Sequence, residues 1–485
     1  MLRAVARFLN PVSREKRALL RRRWEQLPAE LRDPRQVVGR QLVHCAYTMG
    51  PSYCSMGCTH CYLPKNANRI PLPSFEEMKE QIDANRRMIG EAGGLQLTGG
   101  DVVEAYFRAG RGDELIRLTR YANDRGVVPM IMTHGQTLLS HPSYLDRLIV
   151  EGGLRKLAIH VDTTQAGRPG FRPDGRGDEA VLHPLREAFV DLILGASRRT
   201  GVRITAAHTV TVGRRNLATV PEILRWLLSN PRHLRAFRMV SFQTEAQVGR
   251  TLMSEAPVRP DEVWKAICDG AGLVLPRDGI YLGHPDCSSM STLMVLYDEG
   301  RVVNLLDSDE ESQAFWGAVL DGFGGVGSRG EHPLEETLQR AGLLLRRPSL
   351  AVTMLRYAVR RARREGLRPR WLWQAARGRV GFLNIVMHNF MSEAELTVPR
   401  SDRVRKRLEA CAFRGAVRRD GEWVAVPMCF MNVEERERLY ASRIPGPGGV
   451  DLENSDQPLA RYSAFLRLPR TRARRVSRRA VNSDS

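Results

Sequence analysis

Residues 41–61 read QLVHCAYTMGPSYCSMGCTHC: an apolar run ending at Tyr47, a Gly/Pro turn, then the triplet Cys54-Ser-Met-Gly-Cys58-Thr-His-Cys61. A short apolar run bounded by turn residues fits a buried strand. Three thiols within eight residues of loop can converge on one centre. Outward from this stretch the pattern repeats. Apolar runs at 41–47, 95–98, 127–133, 155–161, 202–210 and 236–242 alternate with helix-like stretches at 74–92, 113–125, 142–150, 180–199 and 217–229. Ser74, with Glu77 three residues later, is a capping-box signature, and Gly126 and Gly201 fit helix stops.

Six strands joined by five helices predict an α/β fold with parallel pairing and right-handed crossovers. The expected closure is a partial (β/α)6 barrel of TIM type over 40–250. After residue 250 the alternation fades. Helices are expected at 261–275 and 334–345 and a hairpin at 291–306, which make 251–445 a separate α+β auxiliary or lid region. Residues 1–39 read as a basic amphipathic segment broken at Pro11, and 446–485 as a disordered tail with eight arginines and no acid between 461 and 479.

The 485 residues are 42% hydrophobic, with 74 basic and 54 acidic side chains, and carry a net charge of +20. No apolar run approaches the roughly 18 residues of a membrane span, which excludes a polytopic membrane protein. The charge favours an anionic partner. Eight cysteines are too few for a disulfide scaffold, and the N-terminus lacks the apolar stretch of a secretory signal. The expected setting is the cytoplasm, with reduced thiols and peripheral contact at the inner face of the membrane.

Structural zinc generally takes four ligands in paired knuckles, whereas three thiolates on a [4Fe–4S] cluster leave one iron open. The triplet resembles the signature of the radical S-adenosylmethionine superfamily. The resemblance implies that Cys54, Cys58 and Cys61 hold a [4Fe–4S] cluster whose open iron chelates S-adenosylmethionine. One-electron cleavage then yields a 5′-deoxyadenosyl radical, with electrons from a donor such as ferredoxin or flavodoxin. Thr98-Gly99-Gly100-Asp101, ending the second strand, resembles the family's Gly-Gly-Glu turn for the methionine amino group, one methylene shorter. Other strand ends carry Thr133 and His134, His160 and Asp162, His208 and Thr209, and Ser241 and Gln243. By the same resemblance His60 is placed near the adenine, Asp162 and Thr163 near the ribose or carboxylate, and Gln243 at the same rim.

Of the remaining cysteines, Cys45 and Cys268 read as packing residues. Cys287, Cys411 and Cys429 lie in polar, turn-forming contexts and are candidates for a second iron–sulfur cluster, its fourth ligand Cys268, His284 or none. His160–Gln165, Ser241–Arg250, His284–Cys287 and Met387–Met391, with Cys411 and Pro427–Cys429, resemble the radical enzymes grouped with archaeal tetraether and bacterial membrane-spanning lipid synthases. This group overlaps an archaeal pterin methyltransferase group. The chain departs from it in lacking an N-terminal rubredoxin-like knuckle and in having Ala410 before Cys411, which leaves the number of auxiliary clusters open.

The resulting expectation is C–H activation on a small-molecule or lipid substrate, with a membrane lipid acyl chain as the leading candidate. Basic amphipathic stretches at 1–27 and 350–379, the latter with Trp371 and Trp373, suit anionic headgroups. Methylation or crosslinking of a pterin or peptide is the alternative within the class. A zinc-stabilised nucleic-acid-binding protein is the alternative outside it, disfavoured because the basic runs lack interleaved aromatic residues.

Overall fold

The computed structural model describes residues 12–41, 45–168, 178–251, 256–326, 333–397 and 401–444. Among the described residues eleven strands form one sheet: β1 (Cys45–Tyr47), β2 (Gly94–Leu97), β3 (Val128–Thr133), β4 (Lys156–His160), β5 (Thr205–Val212), β6 (Phe237–Thr244), β7 (Ser288–Leu296), β8 (Arg301–Asn304), β9 (Val380–Asn389), β10 (Arg414–Arg419) and β11 (Glu422–Pro427). Their order is β11-β10-β1-β2-β3-β4-β5-β6-β9-β7-β8. Strands β10, β1 to β6 and β9 run parallel, and β11, β7 and β8 are antiparallel additions.

The first six strands fall where the apolar runs place them, because a strand covered on both faces must be apolar nearly throughout. All four residues of β2 are buried. The helices between them begin and stop on the expected residues. Ser74 Oγ accepts from the Glu77 amide at 3.1 Å to start Phe75–Ile89, and Gly201, at φ +67°, ends His183–Thr200.

Two expectations are corrected. The sheet is an open α/β sheet dominated by parallel strands, with β11 and β8 at its edges. It also does not stop at residue 250: β9 pairs in parallel with β6, and β10 with β1, so the later region extends the same sheet at both sides. These partners are more than a hundred residues apart, beyond the reach of a local βα periodicity. The expected helices near 261–275 and 334–345 appear as Pro260–Ala271 and Pro333–Arg346, and the hairpin near 291–306 as β7 and β8. In the basic N-terminal stretch Arg14–Glu25 is helical, while residues 1–11 and the arginine-rich tail lie outside the described residues. Among the described residues no helix is long and apolar enough to cross a membrane.

Candidate functional site

Parallel strands deliver their following loops to one end of the sheet, where α/β proteins carry their sites. The cysteine loop after β1 is pinned there by backbone bonds to three neighbouring loops. Gly100 N donates to Pro51 O at 2.6 Å, Gly167 N to Met56 O at 2.6 Å and Arg250 N to Cys61 O at 3.0 Å. The Gly-Gly turn after β2 has to be glycine: a Cβ on Gly99 would lie 2.1 Å from Pro51 O, and one on Gly100 2.2 Å from Tyr53 O.

Cys54, Cys58 and Cys61 line one open cavity of about 170 Å³ at this end. Its walls also carry His60, Thr98, Gly99, Gly100, Asp101, Thr133, His134, His160, Thr209 and Gln243. Met132, Phe390, Met391 and Met428 supply apolar surface. Burial pushes the Cys54 thiol up to about 12, and burial with the charges of Cys61 and Cys54 raises Cys58 well above the ordinary range. Partly buried thiols that raise one another in this way are a poor set of free thiolates and a good set of ligands for a cationic centre. Arg250 Nε donates to Cys61 Sγ at 3.3 Å.

Asp101 borders the cavity and also makes structural bonds. It is buried and caps the helix Val102–Arg108: Oδ1 accepts from Glu104 N at 2.7 Å, and Oδ2 from Thr133 Oγ1 at 2.7 Å and His134 N at 2.6 Å. Most of its hydrogen-bonding capacity therefore goes to joining the ends of β2 and β3. Asp162 and Thr163 do not line the cavity. Asp162 is 0% exposed and accepts from Thr164 N at 2.9 Å, Thr211 N at 2.6 Å and His160 Nε2 at 2.5 Å. Despite burial, His160 and these donors hold its carboxyl well below the usual range. Thr163 donates to the buried Glu179 at 2.8 Å. Both residues brace the wall from behind, and His160, bonded to Asp162, faces the cavity. His208 is likewise buried, accepting from Arg186 Nε at 3.0 Å.

Three contributors were not singled out by sequence. Glu104 Oε2 accepts from Ser55 N at 3.0 Å and lies 3.0 Å from His134 Nε2. Ligand atoms of Cys54, Glu104 and His134 all fall within 4.8 Å of one another. Burial lowers the His134 pKa, but the Asp101 and Glu104 carboxylates outweigh it and leave it raised. Glu245, 2.9 Å from His60 Nε2, orients that ring. Arg250 ends the Ser241–Arg250 stretch noted in the sequence, but only the folded chain shows it beside a thiol.

The later cysteines divide. Cys287, Cys411 and Cys429 are brought together. Arg407 Nε donates to Cys287 Sγ at 3.3 Å and is raised by the charges of both Cys287 and Cys429. Burial, Cys411 and Cys287 in turn raise Cys429, and burial pushes Cys287 up to about 11. Cys268 stands apart, its Sγ accepting from Leu275 N at 3.4 Å on the edge of the main core. His284 faces Asp286 at 3.7 Å. A scan against protein-family models finds no match, and no curated protein is similar to the chain.

Proposed function

We propose that the chain is a radical S-adenosylmethionine enzyme acting on a C–H bond. The observation that carries this reading is the delivery of all three thiols of the Cys-x3-Cys-x2-Cys loop, together with the Gly-Gly-Asp turn, to one cavity at the C-terminal ends of parallel strands. The residues fit a [4Fe–4S] cluster: three partly buried thiols lining one cavity, a guanidinium bonded to one of them, and open space beside them. Bound there with S-adenosylmethionine, the cluster supplies a carbon radical able to take hydrogen from an unactivated position.

The protein's own part is to hold, orient and shield. Cys54, Cys58 and Cys61 bind iron, and Arg250 offsets their charge. The glycine turn locks the cysteine loop to β2. His60, held by Glu245, and His160, held by Asp162, present fixed imidazole edges to the cavity. Met132, Phe390, Met391 and Met428 keep part of it dry. That apolar wall favours a lipid acyl chain over a pterin or peptide, which remain the alternatives of the same class. The sheet is read as the open form of a six-strand βα barrel widened at both edges. Cys287, Cys411 and Cys429 are proposed to hold a second iron–sulfur cluster beside the cavity.

Anaerobic reconstitution and metal analysis test the assignment. The parent should bind about four iron per cysteine triplet, and Cys58→Ala should lose that increment together with 5′-deoxyadenosine formation. Changing Cys287, Cys411 and Cys429 together to Ala should remove a further increment of about four and leave cleavage of S-adenosylmethionine measurable. The Cys54–Glu104–His134 group favours a second reading, a mononuclear zinc site. One zinc per chain, no sulfide, and loss of that zinc in both Glu104→Gln and His134→Gln would establish it instead.

A further inference from the structure

An amphipathic surface helix ordinarily turns its apolar stripe to the core. The helix Pro348–Arg364 carries apolar residues on two sides, one against the body and one facing outward. Its contact with the body is made by Leu350, which is buried, by Met354, which packs in the cluster of Val12, Leu343 and Leu350, and by Tyr357, stacked on Phe315 at 3.9 Å. On the opposite side Val352, Leu355 and Val359 are exposed, Leu355 by 65%. The next helix, Arg370–Ala376, anchors Trp371 beside Leu296 and Val303 and turns Leu372 and Trp373 outward, the latter 61% exposed.

The arginines sort with the two sides. Toward the body, Arg360 pairs with Glu311, Arg361 with Asp307 at 2.8 Å, and Arg364 with Asp309 at 2.8 Å. Flanking the exposed stripe, Arg356 and Arg363 have no side-chain partner among the described residues. The surface therefore carries aliphatic residues and a tryptophan, with Arg377 over the Trp373 ring at 4.6 Å and Arg356 and Arg363 beside the stripe. Bare phosphate recognition has no use for the apolar side chains, and a neutral protein groove has no use for the arginines. The segments of this chain outside the description at its two ends are themselves arginine-rich, so charge opposes their covering it.

We infer that the outward face of Pro348–Arg364, with Leu372 and Trp373, docks on an anionic lipid bilayer, its apolar side chains at acyl depth and Arg356 and Arg363 among the headgroup phosphates. This is the arrangement of interfacial amphipathic helices, and it goes beyond the radical chemistry because it holds whatever reaction the cavity performs. The full chain should sediment with vesicles containing phosphatidylglycerol and stay in solution with vesicles of phosphatidylcholine alone. Leu355→Glu with Val359→Glu should weaken that partition by about tenfold or more, and Arg356→Glu with Arg363→Glu should abolish its preference for the anionic lipid. All four positions are exposed, so circular dichroism and iron content should match the parent.

Trp373 is the only exposed one of the seven tryptophans, all of which are described. Vesicles should therefore shield it from acrylamide, and Trp373→Phe should remove the shielded component. Equal partition of the Leu355→Glu/Val359→Glu variant and the parent would overturn the inference. So would binding to duplex DNA, with none to vesicles, that the same substitutions abolish.

Discussion

A carboxylate that both caps a helix and borders a cavity serves two functions at once, and Asp101 can be probed for each. Its three accepted hydrogen bonds tie Thr133, His134 and the start of Val102–Arg108 together. Asp101→Asn keeps the volume but converts one acceptor to a donor facing donors. We expect a loss of roughly 1–3 kcal/mol in urea denaturation, with the thiols still able to take up iron. An unchanged midpoint would mean that the cap is dispensable. The same residue shows what a sequence can convey at this scale. Gly99-Gly100-Asp101 was legible as a turn beside the cysteines, and it is one. The occupation of the second Asp101 oxygen by Thr133 and His134 was not, because those donors come from the end of β3, thirty residues on. Asp162 and Thr163 were misplaced for the same reason: a polar residue just past a strand end can face the cavity or the layer behind it, and only the packing of Glu179 and Thr211 decides.

At the scale of elements, caps are local, and their cost can be stated. Ser74→Ala removes the acceptor for Glu77 N and should cost about 1 kcal/mol. Gly201→Ala meets no atom within 4 Å, so its cost is backbone strain alone, again about 1 kcal/mol for a left-handed position. If thermal or urea unfolding detects neither, the helix boundaries are wrong. Most helices and the six inner strands were readable because periodicity and caps agree. Helix Val102–Arg108 escaped, being only seven residues long. The hairpin of β10 and β11 escaped too, although its signal was present: Asp420 and Gly421 both take positive φ, 49° and 74°, in the two-residue turn that Asp-Gly favours. Strand β9 alternates buried and exposed residues along its first half, but its parallel partner lies far upstream.

For the molecule as a whole, three histidines held neutral by burial, against the raised His134, set the response to acid. Burial, then Arg186, holds His183 down to about 4. Burial holds His388 at about 4, and burial and Arg186 hold His208 well below the ordinary imidazole value. Above their ordinary value of 6.5 these rings are neutral in both states and contribute nothing. Below it the unfolded chain takes up protons that the folded chain refuses, so stability falls as pH drops from 6.5 toward 4. The urea midpoint should therefore decline between pH 7 and pH 5, before most carboxylates titrate, and His208→Gln, which can still accept from Arg186, should flatten the decline. A midpoint level across that interval would contradict the neutral assignment.

The sheet's connectivity also governs how the chain is made. Strands β1 to β6 emerge from the ribosome as a consecutive set, but the flank of β6 waits for β9 and the flank of β1 for β10. At roughly 5–20 residues per second, synthesis leaves both hydrogen-bonding edges bare for on the order of ten seconds. A nascent chain in that interval presents two adhesive borders to its neighbours in a polysome. Yield of intact protein should thus depend on translation speed between residues 245 and 420 and on chaperones that cover strand edges, and the cysteine loop, hanging from β1, gains its final neighbours only when that border closes.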